Sequence, residues 1–193
     1  PNLTSPGDIA ITRPGTLVLA GASTVDGTIS VTAADVTIID LVSVGGLGNA
    51  GTFVANGGNI HFLEAGRVEN SGGDINLVAA SGAISALNTA SWTTLTAGGV
   101  SGGQVEFAAH DSSALSADVT SLGGAVTNGN LTLASPSGLT VDRLSADNIA
   151  ITAAGDVIQT GPIAGRNLTV ASTVGAVSLT NSGNDVDSVA IAN

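Results

Sequence analysis

Pairs of acidic residues are the side chains of this sequence best placed to do chemistry. Asp185 and Asp187 are separated by one residue, so both carboxylates project from the same side of an extended strand. Asp142 and Asp156 are candidates for an approach across neighbouring turns of a repeat fold. Two carboxylates facing one another at about 5–10 Å are what glycoside hydrolysis requires. We nevertheless expect all four to be solvated turn residues, because surface carboxylates far outnumber catalytic ones.

The two histidines predict neither a metal site nor a catalytic triad. His61 alternates with the apolar residues Ile60 and Phe62 and should point outward, whereas His110 begins the turn-like sequence "HDSS". Zinc needs three or four ligands, and two lone histidines on different turns do not supply them. Neighbours in sequence rarely reach the geometry of a serine, histidine and aspartate triad. We therefore predict no enzyme, no catalytic residue, no metal site and no cofactor.

Calcium and phosphate motifs are also missing. The glycine-rich sequence "GGLGNAG" (45–51) lacks the aspartate of calcium-binding nonapeptides, and no motif repeats every nine residues. It also lacks the lysine and the helix of a phosphate-binding loop. Weak cation binding at the surface by Asp185 and Asp187 stays open.

Composition excludes several partners and restricts the core. The net charge of −11 disfavours nucleic acid and anionic membrane surfaces, and no apolar run approaches the roughly 18 residues of a membrane span. Hydrophobic residues make up 43% of the chain, but only one tryptophan and three phenylalanines are aromatic. The core must therefore consist of Val, Ile, Leu and Ala. The absence of cysteine excludes disulfides, and the lack of an initial Met suggests a processed or excised segment.

A short phrase recurs along the chain: a turn residue followed by alternating apolar and polar residues. Its copies include "GDIAIT" (7–12), "GTISVT" (27–32), "GNIHFL" (58–63), "GDINLV" (73–78), "GQVEFA" (103–108), "GNLTLA" (129–134), "DNIAIT" (147–152), "RNLTVA" (166–171) and "DSVAIA" (187–192). The alternation predicts short strands with one buried side. From Leu131 through Ile149 and Leu168 to Val189 the copies lie 18, 19 and 21 residues apart.

A fixed period near 20 residues predicts an all-β, parallel β-helix, or β-solenoid, because stacked turns place like positions on like positions. We predict one domain, 1–193, with about nine to ten coils of roughly 18–21 residues and a length of roughly 45 Å. The interval from Ile60 to Ile75 is interpreted as a short coil. Residues 78–128 are expected to form irregular coils that are either wound into the helix or looped out of it, and "GDIAIT" and "DNIAIT" are expected to share one column of the core.

The same alternation predicts the core and a polar ladder. The residues expected to point inward are Ile9, Ile11, Ile29, Val31, Ile60, Phe62, Ile75, Leu77, Val105, Phe107, Leu131, Leu133, Ile149, Ile151, Leu168, Val170, Val189 and Ile191. Asn130, Asn148 and Asn167 precede three successive strands at the same position. Stacked amides can hydrogen-bond along the axis, so we predict an asparagine ladder, with ordinary turn asparagines as the alternative.

Two stretches resemble a known family. "AGTFVANGGNIHFLEAGRVENSGGDINLVAASG" (50–82) and "VGAVSLTNSGNDVDSVAIAN" (174–193) resemble the repeat region of filamentous-haemagglutinin-like exoproteins, which Gram-negative bacteria export by two-partner secretion. The resemblance implies a right-handed parallel β-helix at the cell surface or outside the cell. It also implies a role as stalk, adhesin or matrix fibre. The family's N-terminal secretion motif is not evident, and the repeat region brings no catalytic residues.

The main functional hypothesis is a structural and adhesive rod of a secreted or cell-surface exoprotein. Its partners would be other segments of the same protein, copies of itself stacked head to tail into filaments, or glycans of host or microbial surfaces. The alternative is a β-helix protein that binds or degrades polysaccharides. Ice or carbohydrate binding by outward threonines is a third class, but Ala150 interrupts the row that contains Thr132 and Thr169.

Overall fold

The computed structural model describes residues 3–46, 49–63, 66–70, 73–86 and 99–193. All of its regular structure is β-strand, and the strands join in one continuous parallel sheet wound into a β-solenoid, which confirms the predicted fold class. Among the described residues no helix is long and apolar enough to cross a membrane. The strands are β1 (Leu3–Ser5), β2 (Ile9–Thr12), β3 (Leu17–Leu19), β4 (Ala22–Thr24), β5 (Ile29–Ala33), β6 (Val36–Ile38), β7 (Leu41–Val44), β8 (Gly51–Ala55), β9 (Ile60–Phe62), β10 (Arg67–Asn70), β11 (Asp74–Ala79), β12 (Ile84–Ala86), β13 (Gly99–Ser135), β14 (Leu139–Ser145), β15 (Asn148–Ala153), β16 (Val157–Gln159), β17 (Ile163–Ser172), β18 (Val177–Ser178) and β19 (Asp185–Ala192).

The solenoid has three faces, each a stack of parallel strands. In the N-terminal half, β1, β4, β7 and β10 form the first face, β2, β5, β8 and β11 the second, and β3, β6, β9 and β12 the third. The long strand β13 bends around the corners and joins all three stacks. In the C-terminal half the third face is the widest: 130–135, 148–153 and 167–172 pair residue by residue.

The number of coils is lower than predicted. The described chain makes about eight turns rather than nine to ten. The reason is that the middle turns are long: on the second face Ile29 pairs with Gly51, Gly51 with Ile75 and Ile75 with Val105, which gives spacings of 22, 24 and 30 residues. Eight turns correspond to a rod of roughly 38 Å.

The predicted short coil between Ile60 and Ile75 is wrong, because these residues belong to different faces. Ile60 pairs with Val36 on the third face, whereas Ile75 pairs with Gly51 on the second. The strand "GTFVA" (51–55), between two copies of the recurring phrase, supplies the missing rung of the second face. The short interval from Ile60 to Ile75 therefore comes from counting across two faces.

The two most similar phrases also lie on different faces. Ile9 of "GDIAIT" pairs with Ile29 on the second face. Ile149 of "DNIAIT" pairs with Leu131 and Leu168 on the third. Both phrases direct isoleucines toward the interior, but from different faces. The prediction that the two phrases share one column of the core is therefore wrong as well.

The interior is a column of stacked aliphatic side chains, with three phenylalanines among them. Fifteen of the eighteen residues predicted to point inward are buried. The three departures lie near the ends of the described rod: Ile11 is only partly buried, and Val189 and Ile191 are 54% and 52% exposed. Leu168 and Val170 pair with the last two on one side, and no described strand covers the other side.

The stretch predicted to be irregular is largely wound into the solenoid where it is described. Residues 78 and 79 complete β11, 84–86 form β12, and 99–128 belong to β13. Residues 87–98, which include Trp92 and part of the predicted loop, lie outside the described residues.

Candidate functional site

The three asparagines singled out in the sequence are adjacent on the edge of the third face. Asn130 pairs with Asn148 and Asn148 with Asn167. The Nδ2 of Asn148 donates to Oδ1 of Asn130 at 2.6 Å, and Nδ2 of Asn167 donates to Oδ1 of Asn148 at 2.5 Å. Hydroxyls extend this row, because Ser188 Oγ donates to Asn167 Oδ1 at 2.6 Å and Ser112 Oγ accepts from the backbone N–H of Asn130 at 3.0 Å. We call Ser112, Asn130, Asn148, Asn167 and Ser188 the amide ladder.

Replacing the central ladder amide tests its contribution to stability. Asn148→Ala removes one hydrogen bond given and one received, so we expect the free energy of unfolding to fall by about 1–2 kcal/mol. Urea unfolding followed by circular dichroism measures the change. Thr152→Ala is the matched control, since Thr152 projects outward from the same strand and makes no side-chain hydrogen bond among the described residues. Equal losses for the two variants would contradict a stabilising ladder.

The structure separates the four carboxylates considered for hydrolysis into two different places. Asp142 follows Val141 and Asp156 precedes Val157, and the strands Leu139–Val141 and Val157–Gln159 pair in register. The two carboxylates therefore lie at opposite ends of one strand pair. Asp156 also has a structural partner, because its Oδ1 accepts the backbone N–H of Ala176 at 2.7 Å.

Asp185 and Asp187 lie on the exposed strand β19 with both side chains in solvent. Neither makes a side-chain hydrogen bond or an ion pair within the described chain. No group of three or more His, Cys, Asp or Glu side chains among the described residues is arranged to hold a metal ion.

Several carboxylates have a structural role that the sequence did not reveal: they join one turn to the next. Asp8 Oδ1 accepts the backbone N–H of Thr28 at 2.7 Å and its hydroxyl at 3.1 Å. Asp35 accepts the backbone N–H of Asn59 at 2.9 Å in the same way. The backbone hydrogen bond from Thr28, helped by the hydroxyl, holds the pKa of the Asp8 carboxyl below its ordinary value.

Acid should weaken the contact between Asp8 and Thr28. Because the pKa is lower in the folded than in the unfolded chain, the stability from Asp8 is complete above about pH 4 and is lost as the pH falls through the folded value. We expect Asp8→Asn to melt below the wild type at pH 7, and the gap to shrink as the pH falls below about 4. Melting followed by circular dichroism measures it, with Asp187→Asn as control. A gap independent of pH would refute the assignment.

A small polar cleft lies on the outer side of the second face. It has a volume of about 100 Å³ and is lined by the side chains of Asp74, Asn76, Gln104, Glu106 and Asp142, among others. Arg143 Nη2 lies 2.7 Å from Glu106 Oε1 and neutralises one of these carboxylates. A typical small-molecule site has at least about 300 Å³, so this cleft is too small for a sugar ring with its neighbours.

The histidines lie apart from each other. His61 projects from β9 between the buried residues Ile60 and Phe62, as the alternation predicts. His110 is exposed, and its Nδ1 lies 2.8 Å from Oδ1 of the adjacent Asp111. The pairing within "HDSS" is local, and Ser113 instead donates from Oγ to the carbonyl of Asp111 at 2.9 Å.

A corner motif was missed in the sequence. Thr24, Asn70, Ser135 and Ser172 are buried polar residues, and each is followed three positions later by glycine. Their side chains close the corner onto that glycine: Thr24 Oγ1 donates to Gly27 O at 2.8 Å, Asn70 Oδ1 accepts from Gly73 N at 2.9 Å, Ser135 Oγ donates to Gly138 O at 3.1 Å and Ser172 Oγ accepts from Gly175 N at 2.9 Å. The spacing Ser/Thr/Asn-x-x-Gly would have marked four corners.

The geometry defines the chain as a parallel β-solenoid protein with a hydrogen-bonded amide edge. No protein-family model, curated protein or solved structure matches it.

Proposed function

We propose that the chain is a stiff structural and adhesive rod of a secreted or cell-surface bacterial exoprotein. The observation that carries the proposal is the unbroken stacking: on the third face six consecutive residues of each turn pair with the next, from Asn130–Ser135 through Asn148–Ala153 to Asn167–Ser172. Backbone ladders of this kind, over a continuous aliphatic column, resist bending. The resemblance to filamentous-haemagglutinin-like repeats supports the cell-surface location.

The last described rung suggests how such rods extend. The strand β19 pairs with β17 on one side only, and Val189 and Ile191 are about half exposed on it. A further turn would cover these side chains, whether it belongs to the same polypeptide or to a second copy stacked head to tail. Electron microscopy of the purified chain at high concentration distinguishes the two, since only the second gives filaments.

Stiffness is directly measurable because the sequence contains no cysteine. The substitutions Thr4→Cys in β1 and Ser178→Cys in β18, both at exposed positions, can carry spin labels. We expect a narrow distance distribution around roughly 40 Å, corresponding to eight rung spacings. A broad distribution would contradict a rigid rod.

The adhesive part of the proposal can be tested by displaying the chain on bacterial cells. The chain displayed on a Gram-negative outer surface should increase attachment to glycan-coated surfaces. Cells displaying a variant with a disrupted core, such as Phe53→Ala, should attach less at equal display. Equal attachment would show that the folded rod is not responsible.

A further inference from the structure

The outer side of the third face is uncharged in its C-terminal part. Its outward positions from β13 to β19 are Asn130, Thr132, Ala134, Asn148, Ala150, Thr152, Asn167, Thr169, Ala171, Ser188, Ala190 and Ala192, of which Ala134 is buried. None of the chain's 15 acidic residues or four arginines is among them, although the net charge is −11. We call this surface the neutral face.

Two shallow hollows formed at alanines between larger side chains lie on the neutral face and at its edge. In the first, Ala150 lies between Thr132 and Thr169 in register, and the amide ladder forms one wall. Its volume is about 250 Å³. The second, of about 210 Å³, lies at the other end of the same strand around Ala154, with Thr152 and Thr173 beside it. Together the hollows follow strand β15 from Asn148 to its end.

Hydrogen-bonding groups on this surface are available to a ligand. Thr132, Thr152 and Thr169 are exposed and make no side-chain hydrogen bond within the described chain. Asn148 and Asn167 each use one side-chain N–H in the ladder, and the second N–H of each is left for an outside acceptor. The surface therefore presents hydroxyl and amide groups but no charge.

We propose that the neutral face binds a neutral, extended glycan. Hydroxyls and amides match sugar hydroxyls as both donors and acceptors. The negative charge of the chain repels acidic polysaccharides, and the outward positions of this face offer no carboxylate to a cationic ligand. A shallow track suits a polymer lying on the surface better than a small molecule that needs an enclosed pocket. This inference rests on the proposed adhesive rod and names its binding surface.

Each contact should be weak, because the neutral face has no aromatic side chain on which a sugar ring could stack. We expect a dissociation constant around 1 mM for one chain and one oligosaccharide, a weak affinity that many rods side by side would raise by multivalency.

NMR titration of the labelled chain tests the proposal. The probes are the neutral hexasaccharides cellohexaose, laminarihexaose and mannohexaose, with hyaluronan and alginate oligomers as acidic comparators. We expect at least one neutral probe to shift the side-chain amides of Asn148 and Asn167 and the backbone amides of Ala150 and Thr169. No shift at about 10 mM of any neutral probe, or equal binding of acidic probes, would overturn the proposal.

Variants on two faces locate the contact. Ala150→Leu fills the first hollow and should weaken binding at least about tenfold, whereas Ala10→Leu, at an exposed outward position on the second face, should leave binding within about twofold. The double change Thr132→Val and Thr169→Val keeps the shape of the surface but removes two hydroxyls, and it should also weaken binding. It tests the site independently if Ala150→Leu disturbs the fold. Thr12→Val is its control.

The outcomes separate this inference from the function on which it rests. A narrow spin-label distance with no glycan shift would leave the rod standing and remove the glycan site. A broad distance distribution would refute the rod itself. Shifts that depend on protein concentration and not on added sugar would identify the neutral face as a contact between copies, which also overturns glycan binding.

Discussion

Replacing Gly161 with alanine is expected to lower the free energy of unfolding by about 3 kcal/mol, a large effect for a single methyl group. A Cβ on Gly161 would overlap the backbone carbonyl of Asp142 on the rung below. The carbonyl has little room to yield, because the backbone N–H of Thr160 donates to Val141 O at 2.8 Å just beside it. Gln159 Nε2, which is buried, also donates to the carbonyl of Gly161 at 2.8 Å.

The control for this change is another corner glycine with open space around it. A Cβ on Gly15 would meet no atom within 4 Å, so Gly15→Ala should change the free energy of unfolding by less than about 1 kcal/mol. We expect an increase, because alanine restricts the unfolded chain more than glycine does. Urea unfolding compares the two variants, and hydrogen exchange at the amide of Thr160 reports local opening. Equal stability of the Gly161 and Gly15 variants would show that the rungs separate easily at this corner.

Replacing Phe53 with alanine is expected to cost about 3–5 kcal/mol. Phe53 is fully buried and lies in β8 between Val31 of the rung below and Leu77 of the rung above. Gly51 in the same strand leaves space for its ring, since a Cβ there would come within 3.3 Å of Phe53 Cε2. Neighbouring turns are fixed by their backbone ladders, so they are poorly able to collapse into the cavity.

The loss should spread beyond one turn. In a solenoid each turn is stabilised mainly by its two neighbours, so weakening the third turn isolates the first two from the rest of the rod. We expect the Phe53→Ala variant to lose amide protection in β2 and β5 before the C-terminal strands unfold. Thr52→Ala, at the adjacent outward position, should cost less than about 1 kcal/mol. A loss below that value for Phe53→Ala would contradict a tightly packed column.

The strand pattern could be predicted from the sequence, but the assignment of strands to faces could not. Alternation fixes which side of a strand is buried, and Ile29, Leu77 and Ile151 are all inward as it requires. The same alternation fits any of three faces, because the interior is equally aliphatic on each. Corners are marked instead by single side chains such as Thr24 and Ser172, each of which meets a glycine.

The amide ladder could be predicted from the sequence, whereas the hollows of the neutral face could not. The asparagines recur at the same place in three phrases, so their alignment could be read directly from the sequence. The hollows depend on which residue lies above which: Ala150 forms a depression only because Thr132 and Thr169 are its neighbours on adjacent rungs. That relation needs the exact register, which differs by one residue between the two steps.

The uneven length of the turns has a consequence for redesign. The second face keeps its register while the spacing between paired residues grows from 20 to 30, so the extra residues do not disturb the ladders. Peptide insertions should therefore leave the fold intact at open corners such as the one around Gly15. The corner where Gly155 and Gly175 lie in backbone contact should reject it. The strand ladders and the closely packed corners are therefore expected to tolerate few changes in sequence, whereas the open corners are expected to tolerate many.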